Sequence, residues 1–217
     1  TRQQIEGDKR NQIVFSPKNN ISQSNYYDLY DMLKNYVGSD DPSKTQTYGD
    51  GNVTNTFPVK NLYVPVDTAL VRKNGTVNPD DSVVDAVRFT FPKNNIFKND
   101  LAELAIIAAN KWKRPIYFTM NQQVGLGLDA YLRQDGLTYR LVPVLGKDES
   151  KDTLYNKFVS TFGPNLFKNN INTDEMYTTL MDKFVFGGAD IPGVYFDEEN
   201  RRHLITIRDA FADNAIA

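Results

Sequence analysis

The chain contains no cysteine. That removes disulfides, thiolate nucleophiles and thiolate zinc sites by inventory, and it leaves the redox compartment open, because a cysteine-free chain suits either side of a membrane. Histidine is almost as scarce. His203 is the only one, so a site of several imidazoles is impossible and a Ser-His-Asp triad would have to use this residue as its base. No G-x-S-x-G elbow accompanies it, and its setting in Arg201-Arg202-His203-Leu204 is that of a surface helix residue. Positive charge is not in excess either: the formal net charge is -2, and no Lys/Arg stripe is interleaved with aromatics. No basic excess is left to neutralise a phosphate backbone, which argues against nucleic acid as a partner. Long apolar runs are missing too. Leu101 to Ala109 is broken by Glu103 and falls far short of the ~20 residues that span a bilayer.

What is present is one core's worth of apolar material. At 217 residues and 40% hydrophobic content, the chain is expected to form a single soluble domain over 1–217. An extended N-terminal segment is expected over 1–24, and a C-terminal helical extension should begin over 200–217. The start at Thr1 without an initiator Met, and a helical pattern that runs to Ala217, lead us to expect a piece of a longer protein.

Periodicity supplies the elements. Tyr26, Leu29, Tyr30, Leu33 and Tyr36 or Val37 recur at three- and four-residue steps after Ser24 and Asn25, which predicts an amphipathic helix with a cap, ending at Gly38. The polar stretch Ser39 to Asn55, with Asp41-Pro42 and Asp50-Gly51, predicts an exposed loop or hairpin. Pro65 cannot donate to a ladder, so Leu62 to Val66 is read as an edge strand or a strand end. Asn74-Gly75 marks a turn. Val87, Phe89 and Phe91 alternate with Arg88 and Thr90, predicting a strand within Val83 to Phe91. Asn99 is expected to cap a helix whose Leu101, Leu104, Ala105, Ala108 and Trp112 form one stripe, stopped by Arg114-Pro115. A buried strand Ile116 to Met120, a helix Gly125 to Gln134, a turn at Asp135-Gly136 and a strand Leu137 to Val144 would then make a crossover unit with parallel strands. The last third is expected to be helical: Asp152 to Thr161, Thr173 to Phe184 and Asn200 onward. Asn172 and Glu175 approximate a capping box ahead of a buried face of Met176, Leu180, Met181 and Phe184. The fold class is therefore α/β, a mixed and partly parallel sheet with flanking helices and a helical C-terminal third, with α+β as the alternative.

Few residues suggest chemistry. Asp197, Glu198 and Glu199 lack the alternating ligands of a calcium loop and suit the positive end of the last helix. Gly125-Leu126-Gly127 lacks the third glycine of a dinucleotide fingerprint and is read as turn geometry. Trp112, Tyr117, Tyr131, Tyr139 and Tyr195 could offer stacking faces to sugar rings, although most lie on apolar stripes. No catalytic, cofactor-binding or metal-binding residue is assigned. The candidate ligand or partner surface comprises Trp112, Arg114, Tyr139, Arg140, Tyr195 and Asp197.

One resemblance adds to this reading. The string Asn110-Lys111-Trp112-Lys113-Arg114-Pro115-Ile116-Tyr117-Phe118, followed by Gly127-Leu128-Asp129 and Gly136-Leu137-Thr138-Tyr139-Arg140-Leu141-Val142-Pro143, resembles the soluble C-terminal region of multipass bacterial membrane proteins. These are grouped as domain of unknown function 2723 and are similar to protein O-mannosyltransferases. The likeness continues through Asn172-Thr173-Asp174, Gly187-Gly188, Pro192-Gly193-Val194-Tyr195 and Asp197 to Arg202. Upstream it includes Ser39-Asp40-Asp41-Pro42 and Pro65-Val66-Asp67. The resemblance implies a parent whose membrane helices transfer sugar from a lipid-linked donor, and a soluble part outside the cytoplasm, at the periplasmic face of the inner membrane. Its partners would be the membrane-embedded part of the same polypeptide and a glycan or an exported protein acceptor. The expected role is a non-catalytic accessory domain for acceptor recognition or partner docking. A stand-alone glycan- or peptide-binding module is the second reading, and a hydrolase using Asp197 with Glu198, or Asp40 with Asp41, is the third. Bacteria with such proteins modify Asp-Ser/Thr-apolar sequences, and Thr68, Ser82 and Thr153 stand in matching triplets.

Overall fold

The computed structural model describes residues 12–18, 20–39, 41–47, 51, 53–119, 125–145, 170–189 and 191–216. They group into two compact units, 1–116 with 122–129, and 117–121 with 130–217. The fold is mixed α/β with parallel and antiparallel strand pairs.

The first unit carries two small sheets. β1 (Gln12–Phe15), β3 (Thr45–Thr47), β4 (Val53–Phe57) and β7 (Asn95–Phe97) form one in the order β3-β4-β1-β7. β1 is parallel to β4 and antiparallel to β7, so the segment expected to be merely extended contributes a central strand. β3 and β4 make the hairpin that the polar stretch predicts. β2 (Tyr27–Asp28), β5 (Asn61–Pro65) and β6 (Ala86–Thr90) form the other sheet in the order β2-β5-β6. β5 is thus central rather than an edge. Pro65 is tolerated because it is the last residue of the strand, in a pair with Ala86 that needs no Pro65 N–H: the neighbouring Val66 N–H donates to Asp85 instead. β6 shows the predicted alternation, with Val87 and Phe89 buried and Arg88 and Thr90 exposed.

Helices follow from local chemistry. The predicted helix over Tyr26 to Tyr36 begins later, as α1 (Leu29–Met32) continued by a π-helical turn (Leu33–Val37). Its cap is Asp28, not Ser24 or Asn25, because the Asp28 carboxylate reaches the Asp31 N–H at 3.1 Å. α2 (Thr68–Lys73) is capped in the same way by Asp67. α3 (Lys98–Asn110) starts one residue before Asn99. There the buried Asp100 carboxylate accepts the Phe97 N–H at 3.1 Å and the Lys93 ammonium at 2.6 Å. α3 buries Leu104, Ile107 and Ala108, while Ala105 faces out. Phe57, Leu62, Phe91, Ile96 and Leu104 are fully buried, as are Leu126 and Leu128. The α-helix expected after Gly125-Leu126-Gly127 does not form. The two leucines fill the core, and a Cβ on Gly127, at φ +82, would overlap the Thr90 carbonyl oxygen.

The second unit carries a sheet of order β11-β9-β10-β8, from β8 (Tyr117–Phe118), β9 (Leu132–Asp135), β10 (Thr138–Leu141) and β11 (Asn170–Ile171). The expected crossover is replaced by an antiparallel hairpin. β9 and β10 pair directly across a turn in which Gly136 takes φ +67, and β10 is antiparallel to β8. The expected helix over Gly125 to Gln134 shrinks to a 3-10 turn (Asp129–Tyr131) because residues 132–135 are drawn into β9. The expected buried strand at Ile116 to Met120 is the two-residue β8, whose Tyr117 is exposed. The parallel pairs lie elsewhere, in β1 with β4, β2 with β5 and β9 with β11. α4 (Thr173–Tyr177), its π-helical continuation (Thr178–Lys183) and α5 (Glu198–Ile216) complete the unit. Met176, Leu180 and Ala210 form a buried cluster, flanked by Ile171 and Phe211, whereas Met181 is exposed. The predicted helix Asp152 to Thr161 lies outside the described residues. Among the described residues no helix is long and apolar enough to cross a membrane.

Candidate functional site

A concavity lies in the first unit, where two parallel strands each hand over to a helix through an aspartate. β2 ends at Asp28 and β5 is followed by Asp67. Because Tyr27 pairs with Leu62 and Asp28 with Tyr63, both carboxyl ends lie side by side, the position at which open α/β sheets form crevices. A cleft of about 680 Å³ opens there, within the range of small-molecule sites, ~300–1,000 Å³. Its apolar lining includes the buried Leu29, Val64, Ala108 and Trp112, and its polar lining includes Asp28, Asp31, Asp67, Lys111 and Lys113. Tyr30 and Tyr63 supply aromatic surface.

The end of α3 closes one side by an unusual backbone path. Lys111 and Trp112 both take left-handed conformations, with φ 48 and 60, at a cost of roughly 1–2 kcal/mol for each side-chain-bearing residue. Tertiary bonds hold them there. The Trp112 indole N–H donates to the Pro65 carbonyl at 2.8 Å, and the Asn74 amide donates to the Trp112 carbonyl at 2.6 Å. Asn110 accepts the Arg114 N–H at 3.0 Å and donates to the Arg114 carbonyl at 2.9 Å. The turn projects the Lys111 ammonium over the Tyr30 ring, 4.8 Å from its centroid. Asp28 and Asp67 each spend one oxygen on a helix cap, accepting the Asp31 and Leu70 N–H groups at 3.1 and 3.0 Å.

A second polar cluster belongs to the other unit. Asp135 and Arg133 on β9 and Arg140 on β10 are all buried, and the Asp135 carboxylate pairs with the Arg140 guanidinium. Arg133 stands 4.0 Å from the same carboxylate. Burial pushes the Asp135 carboxyl above its ordinary value, against the pull of Arg140, Arg133 and the neighbouring Asn172 side chain. The Arg140 guanidinium also lies 5.3 Å from the Tyr117 ring centroid.

The sequence candidates distribute as follows. Trp112 is in the cleft wall, 6% exposed, and Arg114 is exposed two residues on. Tyr139 and Arg140 are consecutive on β10 and therefore face opposite sides of the sheet. Tyr195 is 82% exposed, with the Arg201 guanidinium 5.9 Å from its ring centroid, and Asp197 accepts the Asn200 N–H at 2.8 Å at the head of α5. Tyr131 is buried. His203 is exposed on α5, 3.8 Å from Glu199. Asp41 accepts the Ser43 N–H at 2.9 Å, which lowers its carboxyl below the ordinary value, and Asp40 lies outside the described residues. Sequence reasoning missed the polar rim of the cleft: Asp28, Tyr30, Asp31, Tyr63, Asp67 and Lys111. The available signal was a strand, then an aspartate, then a helix, occurring once at Tyr27-Asp28-Leu29 and again at Pro65-Val66-Asp67-Thr68.

A family model described as TMEM260-associated domain 2 matches residues 1–159. The chain matches no curated protein and no solved structure at a significant level.

Proposed function

The chain belongs to the TMEM260-associated domain 2 family, and from that premise we propose that it is an extracytoplasmic accessory domain of a membrane-embedded glycosyltransferase, which recognises the acceptor or docks a partner and does not itself transfer sugar. TMEM260 is a protein O-mannosyltransferase. That agrees in chemistry with the resemblance of Asn110 to Phe118, and of the later strings, to the soluble region of protein O-mannosyltransferase-like bacterial proteins. On this reading the partners are the membrane-embedded part of the same polypeptide and a glycan or exported protein, and the domain works at the periplasmic face of the inner membrane.

The observation that carries the reading is the cleft at the ends of β2 and β5. It is walled by a strained but firmly bonded turn, and it falls inside the matched residues. Backbone held off its minimum by tertiary bonds is a feature of binding sites. The test is to incubate the purified chain with a lipid-linked sugar donor and an acceptor protein, and to read the acceptor by mass spectrometry. The accessory reading expects no transferred sugar; turnover by this chain alone would overturn it. A stand-alone binding module is the second reading. It is favoured by the fact that the cleft is complete within the first unit, and it is separated from the first by whether loss of the domain alters transfer by the parent.

A further inference from the structure

We propose that the cleft between β2, β5 and the end of α3 binds an uncharged hydroxylated ring, a hexopyranose of the acceptor or product glycan; this names the ligand class for the accessory reading and rests on it. Charge selects among ligand classes. Asp28, Asp31 and Asp67 line the cleft together with Lys111 and Lys113. A bound anion would meet three carboxylates. A bound cation would meet two ammonium groups, one of them already seated over the Tyr30 ring, 4.8 Å from its centroid. A neutral ligand whose hydroxyls both donate and accept can use the two sets at once: the carboxylate oxygens as acceptors, the ammonium groups as donors and the tyrosine hydroxyls as either.

Shape points the same way. The cleft is lined by the apolar Leu29, Val64, Leu70, Ala108 and Trp112 together with the aromatic Tyr30 and Tyr63 and the charged groups above. That is the arrangement of a small-molecule site, in which a few placed polar groups orient a ligand held mainly by apolar surface. A pyranose has matching parts, C–H faces for aromatic surface and hydroxyls at its edge. The cost of orienting the site is already met. Asp28 and Asp67 are fixed by their caps, and the Lys111-Trp112 turn is fixed by Pro65 and Asn74. A preorganised site loses less free energy on binding than one that must be ordered.

Trp112 is the only tryptophan in the chain, so its fluorescence reports this cleft alone. The experiment titrates the 217-residue chain with methyl α-D-mannopyranoside and with α-1,2-mannobiose. Inorganic phosphate and an unglycosylated Ser/Thr peptide serve as comparison probes, and the Trp112 emission and the indole N–H resonance are followed. The expected result is a saturable change with a sugar, with a Kd around ~1 mM. Tyr30→Ala should weaken it about tenfold with the melting temperature unchanged. Asp31→Asn, which keeps the backbone N–H that donates to Asp28, provides the same reading should Tyr30→Ala fail to fold. No saturable change with either sugar overturns the proposal, and so does saturation by phosphate or by the bare peptide alone. The two readings fail separately. If neither sugar binds but removal of the domain still abolishes transfer by the parent, the glycan site is wrong and the accessory role stands; if sugar binds and removal changes nothing, the reverse holds.

Discussion

Trp112 offers a prediction with an internal control, because its backbone and its side chain make opposite demands. The ring is 6% exposed and its N–H donates to the Pro65 carbonyl at 2.8 Å. Truncation to alanine should therefore cost about 3–5 kcal/mol, as for other buried aromatics. Glycine removes the same ring and at an ordinary position would be worse than alanine by roughly 0.5–1 kcal/mol. Here φ is +60, where a Cβ costs roughly 1–2 kcal/mol and glycine costs nothing. The balance of the central values predicts that Trp112→Gly is more stable than Trp112→Ala by about 0.75 kcal/mol, within a range of about 0–1.5 kcal/mol. Trp112→Phe keeps most of the apolar contact but leaves the Pro65 carbonyl without its donor, a loss of about 1–3 kcal/mol. The expected order is Phe, then Gly, then Ala. Urea unfolding followed by circular dichroism can resolve it, since 1 kcal/mol moves a midpoint by roughly 0.5 M when the slope is about 2 kcal/mol per molar. An alanine variant more stable than the glycine variant would show that the left-handed geometry is not imposed on this residue. A phenylalanine variant matching the parent would show that the indole bond contributes nothing.

Three further outcomes follow from the packing. Gly127→Ala places a Cβ against the Thr90 carbonyl at a left-handed φ, so a loss of at least about 2 kcal/mol is expected, from strain plus the backbone shift needed to relieve the overlap; a thermal melt within a degree of the parent would contradict it. Asp135→Asn leaves the buried Arg133 and Arg140 charges without their carboxylate and should cost about 3 kcal/mol in chemical denaturation, whereas an unchanged midpoint would show that the cluster contributes no net stability. Asp213 is raised above the ordinary aspartate value by burial, against a hydrogen bond with Gln134 and with a further push from Asp209. The folded state therefore keeps this proton to higher pH than the unfolded one. Its contribution is fully favourable below the unfolded value and is lost as pH rises through the folded one. Asp213→Asn should flatten that decline in a series of melts from about pH 3.5 to 7 and leave the neutral-pH stability equal or higher; a steeper decline in the variant would refute the assignment.

Much of the first unit is legible in its pattern because burial there follows simple periods. Val87 and Phe89 alternate with exposed neighbours along β6, and the polar stretch before β4 folds into the hairpin its turn residues suggest. The middle of the chain is not legible for a physical reason. All four residues of β9, including Arg133, Gln134 and Asp135, are buried, so the strand shows neither an apolar run nor an alternation. The spacing of Leu128, Tyr131 and Leu132 imitates a helix instead. The cleft was hidden differently. Its walls come from separate stretches, and the conformation that matters most, left-handed backbone at Lys111 and Trp112, leaves no mark in a residue type that ordinarily avoids it. What the sequence did offer was the string from Asn110 to Arg114, whose turn is now seen to be held by Asn110, Asn74 and Pro65.

The proposed accessory role is tested most directly by the acceptor dependence of a membrane glycosyltransferase carrying this domain, with and without it, measured beside that protein's acceptor-independent hydrolysis of the lipid-linked donor. The account predicts that deletion raises the acceptor KM or abolishes transfer while donor hydrolysis continues at the parent's rate, and that Tyr30→Ala in the full-length protein raises the acceptor KM with kcat preserved. Equal loss of both reactions on deletion, or full acceptor transfer without the domain, would contradict it.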